Sequence, residues 1–141
     1  MSYRTFVDTN VFVYAIDDAE PGKRDIAKRV LASEGYGRFV VSAQILGEFY
    51  VTMTRKLAER VSEKEAMNGL EKLDRYQVVP IDAALVRKAM STSRSAQISY
   101  WDGLVVAAAA SAGCERLLTE DLNDGQLIGS VRIENPFRDV V

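Results

Sequence analysis

The chain has 141 residues, of which 18 are Lys or Arg and 20 are Asp or Glu, for a formal net charge of −2. That length fits one domain, residues 1–141, and an apolar fraction of 48% with 27% charged side chains excludes disordered and collagen-like classes. Histidine is absent, which removes Ser-His-Asp hydrolysis, HExxH metalloproteases and zinc deaminases. Cys114 is the only cysteine, so no disulfide can form within the chain, a zinc site is not expected, and a reducing cytoplasm is the expected location. The longest apolar run, Leu104–Ala110, is too short to span a bilayer, so no membrane association is expected. Both signs of charge are mixed along the chain, and bulk charge gives no argument for nucleic-acid binding.

In chain order, Thr5–Asp8 reads as a buried strand ending on an acid. Ile26, Ala27, Val30 and Leu31 have helical spacing, with Gly35 near its stop. Phe39–Val41 predicts a second strand, and Leu46, Phe49, Tyr50, Met53 and Leu57 an apolar stripe on the helix after it. Ser62 and Glu65 form a capping box ahead of Ala66, Leu70 and Leu73. Val78 and Val79 make a third strand; Asp82 caps the helix carrying Leu85, Val86 and Ala89. Tyr100–Ala112 is an Ala-rich helix, apolar nearly all round and therefore buried, which Gly113 ends. Glu115–Thr119 and Val131–Glu134 are the last strands, and Asn135-Pro136 opens the C-terminal tail. Strands alternating with helices predict an α/β class: a three-layer α/β/α arrangement around a mostly parallel sheet of about five strands.

In open α/β sheets, sites lie beyond the carboxyl ends of the strands. Asp8 follows the first strand and reads as a turn or cap residue, or as a metal-binding carboxylate. Glu48 lies off the apolar stripe of its helix, either solvated or functional. Asp102 stands three residues after Ser99, where a capping box and a site role are compatible. Asp121 follows the fourth strand beside two competing acids, Glu120 and Asp124. A parallel sheet would bring Asp8, Asp102 and Asp121 to one edge. Crowded carboxylates raise one another's pKa, and a hard divalent cation relieves that repulsion. Such a cation activates water for phosphodiester hydrolysis without any histidine.

Phe6-Val7-Asp8-Thr9-Asn10, Glu48, Tyr100-Trp101-Asp102 with the Ala107–Ala110 run, and Leu118-Thr119-Glu120-Asp121 resemble the PIN domain, and the chain's size is most similar to VapC-type toxins of toxin–antitoxin pairs. The likeness spans residues 4 to 134. It implies a Mg²⁺- or Mn²⁺-dependent endoribonuclease, commonly a homodimer, with a cognate antitoxin that covers the groove and pushes a basic side chain into the acids. Carried over by position, Asp8 and Asp102 would be direct metal ligands, and Glu48 and Asp121 would complete the acidic cluster directly or through water. Asn10 and Thr119 would orient those carboxylates. Asp121 keeps the Thr-x-Asp spacing, while Asp124 remains a possible sharer of a second metal.

RNA approaching an acidic cluster needs cations at its rim. Lys23, Arg24, Lys28 and Arg29 form one group, and Arg55, Lys56 and Arg60 another; either could equally be a solvated helix face. Tyr14, Tyr50, Tyr100 and Trp101 could stack on an unpaired base, or serve in the core or a dimer contact. Other functions stay open: a PIN-like RNA-processing or binding protein that is not a toxin, a phosphatase with Asp8 as nucleophile, and a receiver-like domain with Asp82 as phosphoacceptor. The phosphatase reading lacks the usual Asp-x-Asp, since position 10 is Asn.

Overall fold

The computed structural model describes residues 3–57 and 61–140. Its six strands are β1 (Arg4–Val7), β2 (Arg38–Ser42), β3 (Gln77–Val79), β4 (Arg116–Leu118), β5 (Leu127–Ile128) and β6 (Val131–Glu134). They form one sheet in the order β3-β2-β1-β4-β6-β5. All neighbours are parallel except β5 and β6. Between them come α1 (Thr9–Tyr14), α2 (Pro21–Ala32), α3 (Ala43–Val51), α4 (Glu63–Leu73), α5 (Ala83–Ala96) and α6 (Tyr100–Ser111).

Phe6 and Val7 are both fully buried, as are Val40 with Val41 and Leu117 with Leu118. Successive strand residues face opposite sides of a sheet, so both faces are covered. The helices supply that cover in two sets: α1 to α4 pack on one another, α5 packs on α6, and β2 touches both α3 and α6. This is the expected α/β/α arrangement.

The capping signals act as the sequence predicts. Ser62 Oγ accepts the Glu65 backbone N–H, Asp82 accepts that of Leu85 and Ser99 that of Asp102. Gly113 ends α6 at φ 72°, a left-handed backbone that suits glycine. The α5–α6 seam is closest at Gly103, where an added Cβ would lie 2.7 Å from the Ala89 carbonyl oxygen.

Several local details go beyond or correct the sequence reading. The chain has a sixth strand: β5 is two residues long, too short for any alternation to announce it. α2 ends at Ala32, and Gly35 lies just beyond that stop, in a 3₁₀ turn, Glu34–Tyr36. The glycine that the backbone demands there is Gly37, at φ 71° with the Tyr3 carbonyl oxygen 2.3 Å from where a Cβ would stand. In α3 the fully buried residue is Ile45, outside the predicted stripe, while Leu46 is only half-buried, because the helix presents its Ile45–Phe49 line to the core. Phe137, in the predicted tail, is buried and packs edge-on against Tyr14, 4.9 Å between ring centroids.

The sheet order carries the functional consequence. From β1 the chain builds outward to β2 and β3 on one side, then returns to add β4 and β6 on the other. The carboxyl ends of β1 and β4 therefore flank a topological switch point, where adjacent connections diverge and leave a crevice.

Candidate active site

Asp8 leaves β1 at that crevice and N-caps α1. Its Oδ1 accepts the Thr9 backbone N–H at 2.8 Å, and its Oδ2 accepts the Thr119 hydroxyl at 2.8 Å. Its backbone N–H donates to the Leu118 carbonyl at 3.0 Å, which continues the β1–β4 pairing one step past the strand. The cap and the site reading thus describe one carboxylate. Thr119 holds two acids at once, since its Oγ1 also accepts the Asp121 backbone N–H at 3.1 Å. Asn10 Nδ2 donates to Asp121 Oδ2 at 3.3 Å. Asn10 and Thr119, the orienting residues expected from sequence, thus each bond a carboxylate of the cleft, Asp121 and Asp8 respectively.

Glu48 reaches the cleft from α3, where Thr9 Oγ1 donates to its Oε1 at 2.9 Å. Sequence reasoning missed Thr9 as a positioning residue. The signal was available, because a hydroxyl directly after a strand-end acid lies at the helix start facing the same crevice. Asp102 sits in the first turn of α6 and lines the same cleft.

Asp8, Glu48, Asp102 and Asp121 all line one open cleft of about 650 Å³. Their charges are felt along a chain. Burial pushes the Asp8 carboxyl up to about 7, against lowering by its hydrogen bonds from Thr119 and Thr9, and the Asp121 and Glu48 charges add to the rise. Burial raises Asp121 too, followed by the charges of Asp102 and Glu120. None of the four is in a salt bridge among the described residues. A buried acid without a cation is costly to ionise.

The two competing acids are engaged elsewhere. Glu120 accepts from Lys23 Nζ at 3.1 Å and from the Tyr14 hydroxyl at 2.6 Å. Asp124 accepts the Asn135 backbone N–H at 2.8 Å. Of the three loop acids, Asp121 is the one that lines the cleft. Asp82 is spent on capping α5 and lines a different surface depression, which gives the receiver-like reading no acidic pocket around its acceptor.

The PIN-domain family model matches residues 5–123. The chain belongs to the PIN-domain family. No curated protein matches the chain significantly. Among solved structures, the chain is similar in fold to a toxin–antitoxin complex from Klebsiella pneumoniae, with TM-score 0.68, 19% identity, and 94% of this chain and 97% of the other covered. DNA-bound VapBC from Salmonella typhimurium aligns with TM-score 0.67 and 18% identity over 95% of this chain and 98% of that one. Mycobacterium tuberculosis VapC20, described as a sarcin-ricin-loop-cleaving toxin, aligns with TM-score 0.61 and 21% identity over 80% of this chain and 86% of that one.

The rim of this PIN cleft is less basic than the sequence reading allows. Lys23 turns to Glu120 and lies over the Tyr14 ring, 4.7 Å from its centroid. Arg24 pairs with Asp18 at 2.8 Å, and Lys28 and Arg29 are exposed on α2 outside the cleft. Of the second group, Lys56 lines the cleft and Arg55 does not; Arg60 lies outside the described residues. Among the aromatics, Tyr14 is tied to Glu120, and Tyr50 donates its hydroxyl to Glu63 at 2.9 Å. Among the described residues, no helix is long and apolar enough to cross a membrane.

The residues present suit a divalent ion by chemistry. The cleft offers the carboxylates of Asp8, Glu48, Asp102 and Asp121, with Asp17 further along its lining, and amide and hydroxyl oxygens, all hard ligands, and the buried Asn10 Oδ1 has no hydrogen-bond partner. Among the described residues, no three acids are close enough to form a ready-made metal cage. Mg²⁺ does not require one, since it keeps several waters and takes one or two carboxylates.

Proposed function

We propose that this PIN protein is a Mg²⁺- or Mn²⁺-dependent endoribonuclease and the toxin of a toxin–antitoxin pair. The observation that carries this reading is the convergence of Asp8, Glu48, Asp102 and Asp121 on one cleft at the switch point, with no cation paired to any of them among the described residues. Asp8 and Asp102 would hold the ion, with Glu48 and Asp121 joining directly or through water. A bound divalent ion supplies a water of lowered pKa and offsets charge on the phosphodiester.

The chain's own residues do the rest. Thr119 and the Thr9 backbone fix both oxygens of Asp8, so its carboxylate is held in one orientation. Thr9 and Asn10 each hold one oxygen of Glu48 and of Asp121. Glu120 is neutralised by Lys23, which keeps its charge from adding to those of Asp8, Glu48, Asp102 and Asp121. The Asp-nucleophile alternative would need an acid at position 10. That position holds Asn10, whose amide is already committed to Asp121.

The partners follow from the same reading: RNA as substrate, a second copy of the chain in a homodimer, and an antitoxin protein covering the acidic cleft. Similarity to structures described as toxin–antitoxin complexes supports the last of these. The test is RNA cleavage by purified protein with and without Mg²⁺ or Mn²⁺, alongside folded Asp8→Asn and Asp102→Asn variants. Cleavage should need the ion and be lost in both variants. Full cleavage by both, or cleavage in chelator, overturns the reading. A small protein that copurifies and suppresses cleavage supports the toxin assignment; cleavage without toxicity on expression supports an RNA-processing role.

A further inference from the structure

Trp101 is 64% exposed, the most exposed large apolar side chain among the described residues, yet it lines the same cleft as the four acids. An indole left in water at the first turn of an otherwise buried helix does nothing for the core. It is also held in place. The Tyr100 ring meets it edge-on, 5.0 Å between centroids at 75°, and Gln44 Nε2 of α3 donates to the Trp101 carbonyl at 3.3 Å. Its neighbour in sequence, Asp102, is one of the acids of the cleft. Lys56 lines that cleft as well and makes no ion pair among the described residues.

We infer that Trp101 is a stacking platform for an unpaired nucleobase beside the scissile phosphate, with Lys56 holding a neighbouring backbone phosphate. The inference rests on the ribonuclease reading and adds to it a subsite for single-stranded RNA. A flat, pre-oriented ring loses little entropy when a base stacks on it, and stacking tolerates every base. Among the described residues that line the negative cleft, Lys56 is the one cation, and so the attraction a polyanion would meet there besides the metal. The subsite selects for strand state over sequence: a base inside a duplex cannot present its face to the indole. A protein partner would also cover an exposed indole, but the acids and the Lys56 ammonium around it match a sugar-phosphate chain better than an apolar face.

The chain has one tryptophan, so its intrinsic fluorescence reports on this position alone. The experiment titrates the full chain, in Mg²⁺, with a short single-stranded 2′-O-methyl RNA carrying a terminal dye, and with the same backbone made abasic. Binding is read by dye anisotropy and the indole by its emission. The RNA should bind and quench or shift the tryptophan emission, whereas the abasic strand should bind more weakly and leave it unchanged. Trp101→Ala should weaken RNA binding by about tenfold or more and Trp101→Phe by much less, with unchanged circular dichroism in both. RNA that binds without changing the emission, or binds Trp101→Ala as tightly, overturns this subsite and leaves the nuclease reading standing. RNA that does not bind at all overturns both. Emission that changes with protein concentration alone assigns the indole to a contact between copies, and overturns the subsite.

Discussion

Removing the Asp8 charge should stabilise the metal-free protein above neutrality. Folded Asp8 keeps its proton up to about 7, chiefly because it is buried, while the unfolded chain releases it near 3.8. Between those values the unfolded state binds fewer protons, so rising pH favours unfolding. At ~1.4 kcal/mol per pH unit, the full penalty is about 4 kcal/mol above pH ~7, and about 2 kcal/mol at pH ~5. Asp8→Asn removes the penalty at little cost in hydrogen bonding. The amide oxygen can still accept the Thr9 backbone N–H, and the Thr119 hydroxyl can turn to accept from the amide nitrogen. Urea unfolding of both proteins in chelator, at about pH 5 and about pH 8, measures the difference directly. The variant's advantage should grow by about 3 kcal/mol between the two, and other titrating groups cancel to first order because both proteins carry them. Excess Mg²⁺ should then stabilise the natural chain more than the variant. An advantage that is flat with pH, or a variant less stable at the higher pH, refutes the reasoning.

Thr119→Val should cost about 1–3 kcal/mol of stability by urea unfolding, because it leaves a buried carboxylate oxygen without its donor, and should lower RNA cleavage as well. Glu120→Gln should leave cleavage rates nearly unchanged while Asp121→Asn lowers them severalfold or more, since only Asp121 lines the cleft. Gly103→Ala should lower stability by about 1–3 kcal/mol in the same unfolding assay, as α6 must shift away from the Ala89 carbonyl. Lys23→Met should change stability by less than about 1 kcal/mol, the worth of a partly exposed ion pair.

Much of this architecture was legible because its signals are local. Ser62 with Glu65, Asp82, Ser99 and Gly113 each act on backbone within a few residues, so their spacing alone places the helix ends. The strand-end acids were legible for a similar reason, since a parallel sheet carries every strand's carboxyl end to one edge. What the sequence hides is partner choice across long separations. Nothing local says that Lys23 turns to Glu120, 97 residues away, instead of facing the cleft. The loop acids differ in role only because Lys23 and Asn135 reach two of them. Phe137 looked like tail because nothing in its neighbourhood announces that Tyr14 lies beneath it.

The bond between Asp8 and Thr119 spans 111 residues of chain. A polypeptide still emerging from the ribosome, or cut short before β4, lacks the hydroxyl that steadies Asp8 and lacks Asp121 altogether. The acidic cleft is therefore complete only once Thr119 and Asp121 have been made, after β1 to β3 and α1 to α6 are available to fold. Its completion is a late event written into the order of the strands.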